Sequence, residues 1–272
     1  MQSGVSTACL YPQLLEEALY DLALNGITHV ELFVNADSEL RRPFVENMAD
    51  IMERFGVTCR ALHPFTAPSE PIMLFSQYER RYTDMLDYYK RTFEAMQRIG
   101  AEIFILHGSS VHNPVPVDFY CERFYGLAQE AKKYGVKVAQ ENVVRCQSGS
   151  LKFLREMTLR LGGDVHFVLD TKQAVRAGES PIEMLRALGS HVVHVHISDH
   201  SDKGDCLLLG SGNFRIRSFL EDLHAFSPES SVVLELYRAN FRGISDLVSN
   251  YRMLSWMISR VEKNATAQQD IM

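Results

Sequence analysis

FYCERFYGLAQEAKKYGVKVAQEN, residues 119–142, contains the unit from which the fold is read. Its first part, 119–135, places apolar residues at helical spacing and stops at Gly135, a residue suited to the left-handed turn that closes a helix. KVAQEN follows at once and reads as a short strand ending on an acid, Glu141. The scheme recurs in both directions. Helical patterns over 14–26, 44–56 and 78–100 each end in glycine, and weaker ones cover 148–160, 180–189, 214–226 and 244–262. Eight strand candidates lie near 4–9, 28–34, 57–63, 102–108, 136–142, 165–170, 191–198 and 231–237. Several are almost continuously apolar, as parallel strands covered on both faces are.

Eight strand–helix units without a break in composition predict one (β/α)8 TIM barrel over residues 1–263, with 264–272 as a disordered tail. The alternative is an open doubly wound sheet. That fold usually carries a glycine-rich phosphate loop after its first strand, where this chain has STACLYPQ. The connection at 64–78, PFTAPSEPIMLFSQY, is long. Its Phe65, Ile72, Met73 and Phe75 read as exposed, so it is either a lid or subunit contact at the catalytic face or a loop packed on its own scaffold.

Composition narrows the function classes. The 272 residues are 46% hydrophobic and 23% charged, with a net charge of -6 and no basic stripe, which argues against nucleic acid as a partner. No apolar run approaches the roughly 18 residues of a membrane span. Five scattered cysteines without a Cys-x-x-Cys pair, and an N-terminus without a signal-peptide pattern, predict a cytoplasmic protein with free thiols.

Four strands end on a side chain that can bind a metal: Glu141 in KVAQEN, Asp170 in VHFVLD, His196 in VVHVHIS and Glu235 in VVLELY. In a barrel these ends converge on one mouth. Glu31, His63, His107, His194 and Asp199 add to the polar strand-end set. Three carboxylates and one imidazole suit Mn²⁺, Mg²⁺ or Co²⁺, with Zn²⁺ less favoured. An ion with open positions would polarise a carbonyl and acidify the adjacent C–H. Glu141 and Glu235 are then the expected pair that removes and returns a proton.

Each residue also has a plainer reading. Asp170, just before Thr171, could simply cap a helix. Glu235 stands between Leu234 and Leu236, a setting in which a carboxylate needs a partner. Glu31 in HVELFV is similar and could instead orient another residue. His194 shares a face with His196, one as ligand and the other as its support or as an inner-layer histidine. His63 and His107 are candidates for substrate contact or, with Glu141, for a second metal ion.

The chain resembles the xylose isomerase-like barrel superfamily, which includes sugar isomerases and epimerases, inosose dehydratases and isomerases, and nucleases of the endonuclease IV type. The resemblance rests on VELF (30–33), LHP (62–64), LHG (106–108), QEN (140–142), FVLDTKQAVRAG (167–178), HVHISDH (194–200), LGSGNF (209–214) and LELY (234–237), taken in order. It implies that Glu141, Asp170, His196 and Glu235 are the four metal ligands of the ketose 3-epimerase branch, with both glutamates moving the proton. The chain departs from that branch at Gln173, where the family has His, at Gln147, where it has Glu, and at Asp202, where it has Arg. A three-metal nuclease site would need ligands at positions held here by Gln173, Gly204 and Cys206.

The expected function is therefore a divalent-metal-dependent isomerase or epimerase of a monosaccharide or related polyol ketone, with Mn²⁺ as the first choice of ion. His63, His107, Arg145 and Gln173 are the expected substrate contacts, and a homo-oligomer is left open. The alternatives are an inosose dehydratase-like lyase, a metal-dependent phosphodiesterase, and a non-catalytic sugar-binding barrel.

Overall fold

A computed structural model describes residues 1–269. Eight parallel strands close into a barrel: β1 (Gln2–Ser6), β2 (His29–Phe33), β3 (Thr58–His63), β4 (Ile103–Leu106), β5 (Lys137–Glu141), β6 (His166–Asp170), β7 (Val192–Ile197) and, last, β10 (Ser231–Leu234). Their order is β1-β10-β7-β6-β5-β4-β3-β2. The barrel expectation holds, and the doubly wound alternative falls because the sheet has no open edge. Two further strands, β8 (Asp199–Ser201) and β9 (Gly204–Leu207), form a small antiparallel hairpin beyond β7 that the sequence did not suggest.

Helices cover the outside. The longest preceding the C-terminal one, Glu79–Ile99, stops where expected because Gly100 adopts φ 76°, and its N–H returns to the carbonyls of Met96 and Gln97. Between strands and helices lies the main apolar core, including Tyr89, Phe93, Phe104, Tyr120, Phe124 and Phe167. A second, smaller cluster (Ala61, Ile103, Ile105, Ala139 and Val168) fills the barrel interior.

That inner cluster explains how the site is placed. Side chains alternate across a strand, so the residue two positions further on faces the same way. Ala61 leads to His63, Ile105 to His107, Ala139 to Glu141, Val168 to Asp170 and His194 to His196. In four of these five strands the plugging group is small or apolar, His194 being the exception, and in all five the next inward-facing residue is polar and opens on the mouth.

Some boundaries differ from expectation. β1 ends at Ser6 rather than near 9, because the Ser6 hydroxyl accepts the Ala8 N–H and starts a 3₁₀ turn, Thr7–Leu10. β10 ends at Leu234, leaving Glu235 just beyond the sheet. A short helix, Thr171–Arg176, follows β6 directly. The last helix runs over Ile244–Gln269, through part of the expected tail, and residues 270–272 lie outside those described. In the 64–78 connection only Ile72 of the four apolar residues is well exposed. Phe75 is buried and stacks on Tyr120, with ring centres 4.2 Å apart.

Gly108 follows the end of β4 with φ 93°. A Cβ there would meet the Tyr120 hydroxyl at 1.9 Å, and that hydroxyl donates to Gln140 Oε1 at 2.7 Å. Gly108→Ala is expected to cost about 3 kcal/mol or more through combined clash and backbone strain, read as a lower denaturant midpoint.

Candidate metal centre at the barrel mouth

Glu141 ends β5, Asp170 ends β6, His196 is the penultimate residue of β7, and Glu235 follows β10. Register brings them together: Asp170 pairs with His196, and His196 with Val233. His196 Nδ1 lies 3.4 Å from Glu141 Oε1, 3.6 Å from Glu235 Oε2 and 3.9 Å from Asp170 Oδ2. One ligand atom from each of the four residues falls within 4.8 Å of all the others. Atoms that share one ion at about 2.0–2.2 Å are roughly 3–4 Å apart, so the spacing fits a cation. Three of these side chains keep a buried atom without a well-formed hydrogen bond, Glu141 Oε2, Asp170 Oδ2 and His196 Nδ1, although His107 Nε2 stands 2.9 Å from the first and Lys172 Nζ 3.2 Å from the second. Buried polar atoms are rarely left so, and a divalent ion would satisfy the set.

The imidazole is aimed from behind. His196 Nε2 and His194 Nε2 both donate to Glu31 Oε2 at 2.8 Å, and Ser6 Oγ donates to Glu31 Oε1 at 2.8 Å. His194 pairs through Nδ1 with Ser231. Glu31 thus fixes the ring and leaves Nδ1 facing the three carboxylates, the usual way an outer carboxylate orients a metal-binding histidine. Burial opposes ionisation of Glu31, but His196 and His194 outweigh it and hold the carboxyl well below the usual range.

The same contest sets the other charges. Burial would raise Glu141, yet His107, His196 and His63 together hold it well below an ordinary glutamate. Burial likewise opposes Glu235, and Lys172 and His196 bring it down. Asp170 goes the other way: burial pushes it up to about 7 against the pull of Lys172. His196 is raised well above its ordinary value, since Glu31, Glu235 and Glu141 overcome its burial.

The remaining expected residues are also near. His63 Nε2 and His107 Nε2 are 2.7 Å apart, and they lie 3.6 and 2.9 Å from Glu141 Oε2. Arg145 Nη2 contacts His107 Nδ1 at 3.1 Å. Gln173 Oε1 accepts the Val144 N–H at 3.2 Å. All four line a cavity of about 520 Å³ above Glu141 and Glu235, walled also by Tyr11, Phe33, Phe65 and Tyr237.

Two polar side chains singled out in the sequence bind backbone instead. Asp199 turns away from the quartet and accepts the N–H groups of His200, Gly210, Gly212 and Phe214, which anchors the LGSGNF loop. Gln147 binds the Val115 backbone through both its amide atoms. Asp170 does cap a helix, its Oδ1 accepting the Gln173 N–H at 3.0 Å, while Oδ2 faces the other three side chains of the quartet.

Sequence reasoning missed Lys172 and Glu70. Lys172 Nζ reaches Glu235 Oε2 at 2.7 Å and Asp170 Oδ2 at 3.2 Å. Nothing in DTKQ separates such a lysine from a solvated one. Glu70, in the short helix Glu70–Met73, is fully buried. Its Oε2 accepts the Gly108 N–H at 2.6 Å, and Oε1 has no partner.

Burial pushes the Glu70 carboxyl from its ordinary 4.5 up to about 8. The unfolded chain therefore releases this proton first as pH rises. The contribution of this one group to native stability is fully present below about 4.5, falls across the window from 4.5 to 8, and is level above it. Glu70→Gln removes that penalty. The variant is expected to match the parent closely at pH 4 and to gain about 1–3 kcal/mol at pH 9, measured by urea denaturation at both values.

A closed parallel barrel with an acid-and-imidazole cup at its C-terminal mouth defines the class of protein, and the comparisons agree. The chain belongs to the xylose isomerase-like TIM barrel family, whose model matches residues 19–257. An uncharacterized protein of Mycobacterium leprae (strain TN) is 23% identical, covering 89% of this chain and 91% of its own length. Among solved structures, a D-tagatose 3-epimerase-like protein superposes with a TM-score of 0.78 at 18% identity, covering 97% of this chain and 100% of that one. L-ribulose 3-epimerase gives 0.75 at 15%, covering 98% of each chain. The IOLI protein with a binding zinc atom gives 0.76 at 16%, covering 96% and 99%. At such identities these likenesses show the fold alone.

Proposed function

We propose that this chain is a divalent-metal-dependent isomerase or epimerase that moves a proton next to the carbonyl of a monosaccharide or related polyol ketone. One observation carries the reading. Glu141 and Glu235, both held in the ionised range, flank a cation-sized space shared with Asp170 and His196, and both line the mouth cavity. The solved neighbours include a D-tagatose 3-epimerase-like protein, L-ribulose 3-epimerase and the IOLI protein with a binding zinc atom, which supports the same class.

Glu141, Asp170, His196 and Glu235 would hold the ion, with Mn²⁺ the first choice for a set of three carboxylates and one imidazole. When bound, the ion supplies Lewis-acid polarisation of the substrate carbonyl. One glutamate then takes the proton from the adjacent carbon, and the other returns one to the resulting enediol. His63, His107, Arg145 and Gln173 are the proposed contacts to substrate hydroxyls. His63 and His107 with Glu141 also form a cluster tight enough for a second cation. All five cysteines are free, and no helix among the described residues is long and apolar enough to cross a membrane. Both facts fit the proposed cytoplasmic setting.

The test is a panel of free and phosphorylated ketoses and inososes incubated in D₂O with the Mn²⁺-loaded protein. Deuterium entering a carbon beside the carbonyl, followed by NMR, supports the proposal. Loss of water to an enol product would replace it with a lyase, and hydrolysis of a phosphodiester with a nuclease-type activity.

A further inference from the structure

Lys172 lies within the quartet rather than on the surface. Its side chain is only 5% exposed, and the ammonium is shared between Glu235 Oε2 and Asp170 Oδ2. These are the same two oxygens that face His196 Nδ1. Apart from this ammonium, Asp170 Oδ2 has no hydrogen-bonding partner. The ammonium also stands 4.9 Å from the centre of the Tyr237 ring, in the wall of the mouth cavity. Two of the four proposed ligand groups are thus already claimed by a fixed positive charge.

We infer that Lys172 is a built-in rival of the divalent ion: its ammonium bridges Glu235 and Asp170 in metal-free protein, and loading the ion requires it to yield both oxygens. This rests on the quartet being a cation site. In a buried, weakly screened setting a monovalent and a divalent cation on the same oxygens repel strongly. Clustered carboxylates with neither cation present repel one another, and loss of one partner from a buried pair is strongly destabilising. Lys172 therefore keeps the metal-free barrel folded and lowers the affinity for the ion. The Tyr237 face, beside the ammonium on the cavity side, offers a cation–π contact for the displaced group.

The experiment uses the full chain stripped with EDTA and titrated with Mn²⁺ by calorimetry, with the thermal midpoint recorded before and after. Lys172→Met keeps the apolar stem and removes the charge. It is expected to bind Mn²⁺ at least about tenfold more tightly than the parent. Its metal-free midpoint should drop by about 5 °C or more, a gap that Mn²⁺ closes. Lys172→Arg, which keeps the charge and guards against a folding failure of the first variant, should bind no more tightly than the parent. Equal or weaker Mn²⁺ binding by Lys172→Met, while Asp170→Asn still abolishes binding, overturns the rivalry and leaves the cation site standing. No binding by the parent or by Lys172→Met removes the cation site and the inference together. Binding by Lys172→Met alone supports the rivalry in its strongest form.

Discussion

Glu235→Gln is expected to lower the rate of proton exchange at the substrate carbon by about a thousandfold while leaving the barrel folded and able to bind some metal. The amide keeps the shape and one acceptor oxygen, but it cannot take up a proton at neutral pH. Glu235 is the most open of the four, with 13% side-chain exposure against 1–3% for the others, so it is the carboxylate best placed to meet substrate. In the metal-free protein it is also ionised: although burial opposes it, Lys172 and His196 hold it below the ordinary range.

The backbone around Glu235 does not depend on the carboxylate. β10 has ended, and two thiols take over the ladder's work: Leu236 N–H donates to Cys9 Sγ at 3.2 Å and Tyr237 N–H to Cys206 Sγ at 3.3 Å. The variant should therefore keep its thermal midpoint to within a few degrees once metal is added. Deuterium wash-in followed by NMR gives the rate, and circular dichroism the fold. Exchange at the parent rate would remove Glu235 from the proton path and leave it, at most, as a ligand.

How much could be read beforehand depends on which kind of information a position carries. The repeat of apolar strand, glycine stop and amphipathic helix is local, so eight units and their closure were legible. The polar strand ends were legible because barrel topology converts a position in the sequence into a position in space: Ala139 to Glu141 and Val168 to Asp170 are each one inward step. Lys172 was not legible, because its direction follows from the short helix that starts directly after Asp170. Glu70 stands in a proline-rich stretch that looks solvated, and its burial comes from contact with Gly108 at the end of another strand. Phe75 was misjudged for the same reason, since Tyr120, on which it stacks, is distant in sequence. The β8–β9 hairpin is held by Asp199 and the glycine loop, an arrangement with no periodic signature.

Asp170 offers the sharpest separation of structure from function, since its two oxygens do different work. Oδ1 caps the helix Thr171–Arg176 by accepting the Gln173 N–H, and Oδ2 faces His196 Nδ1 at 3.9 Å and Lys172 Nζ at 3.2 Å. Asn is as good a cap as Asp, so Asp170→Asn preserves the helix start. It replaces the carboxylate of a proposed ligand with a neutral amide. Removing an outer partner of a metal ligand costs about 10- to 100-fold in affinity, and loss of a direct ligand should exceed that range. The expected result is a folded protein whose Mn²⁺ affinity falls by more than about a hundredfold. Asp170→Ala should lose the same affinity and, in addition, about 1 kcal/mol of stability from the missing cap. Calorimetric titration with Mn²⁺ and urea denaturation of both variants separate the two contributions. If Asp170→Asn bound Mn²⁺ as tightly as the parent, Asp170 would be a helix cap alone, and the proposed four-ligand centre would lose the one carboxylate that burial pushes up to about 7.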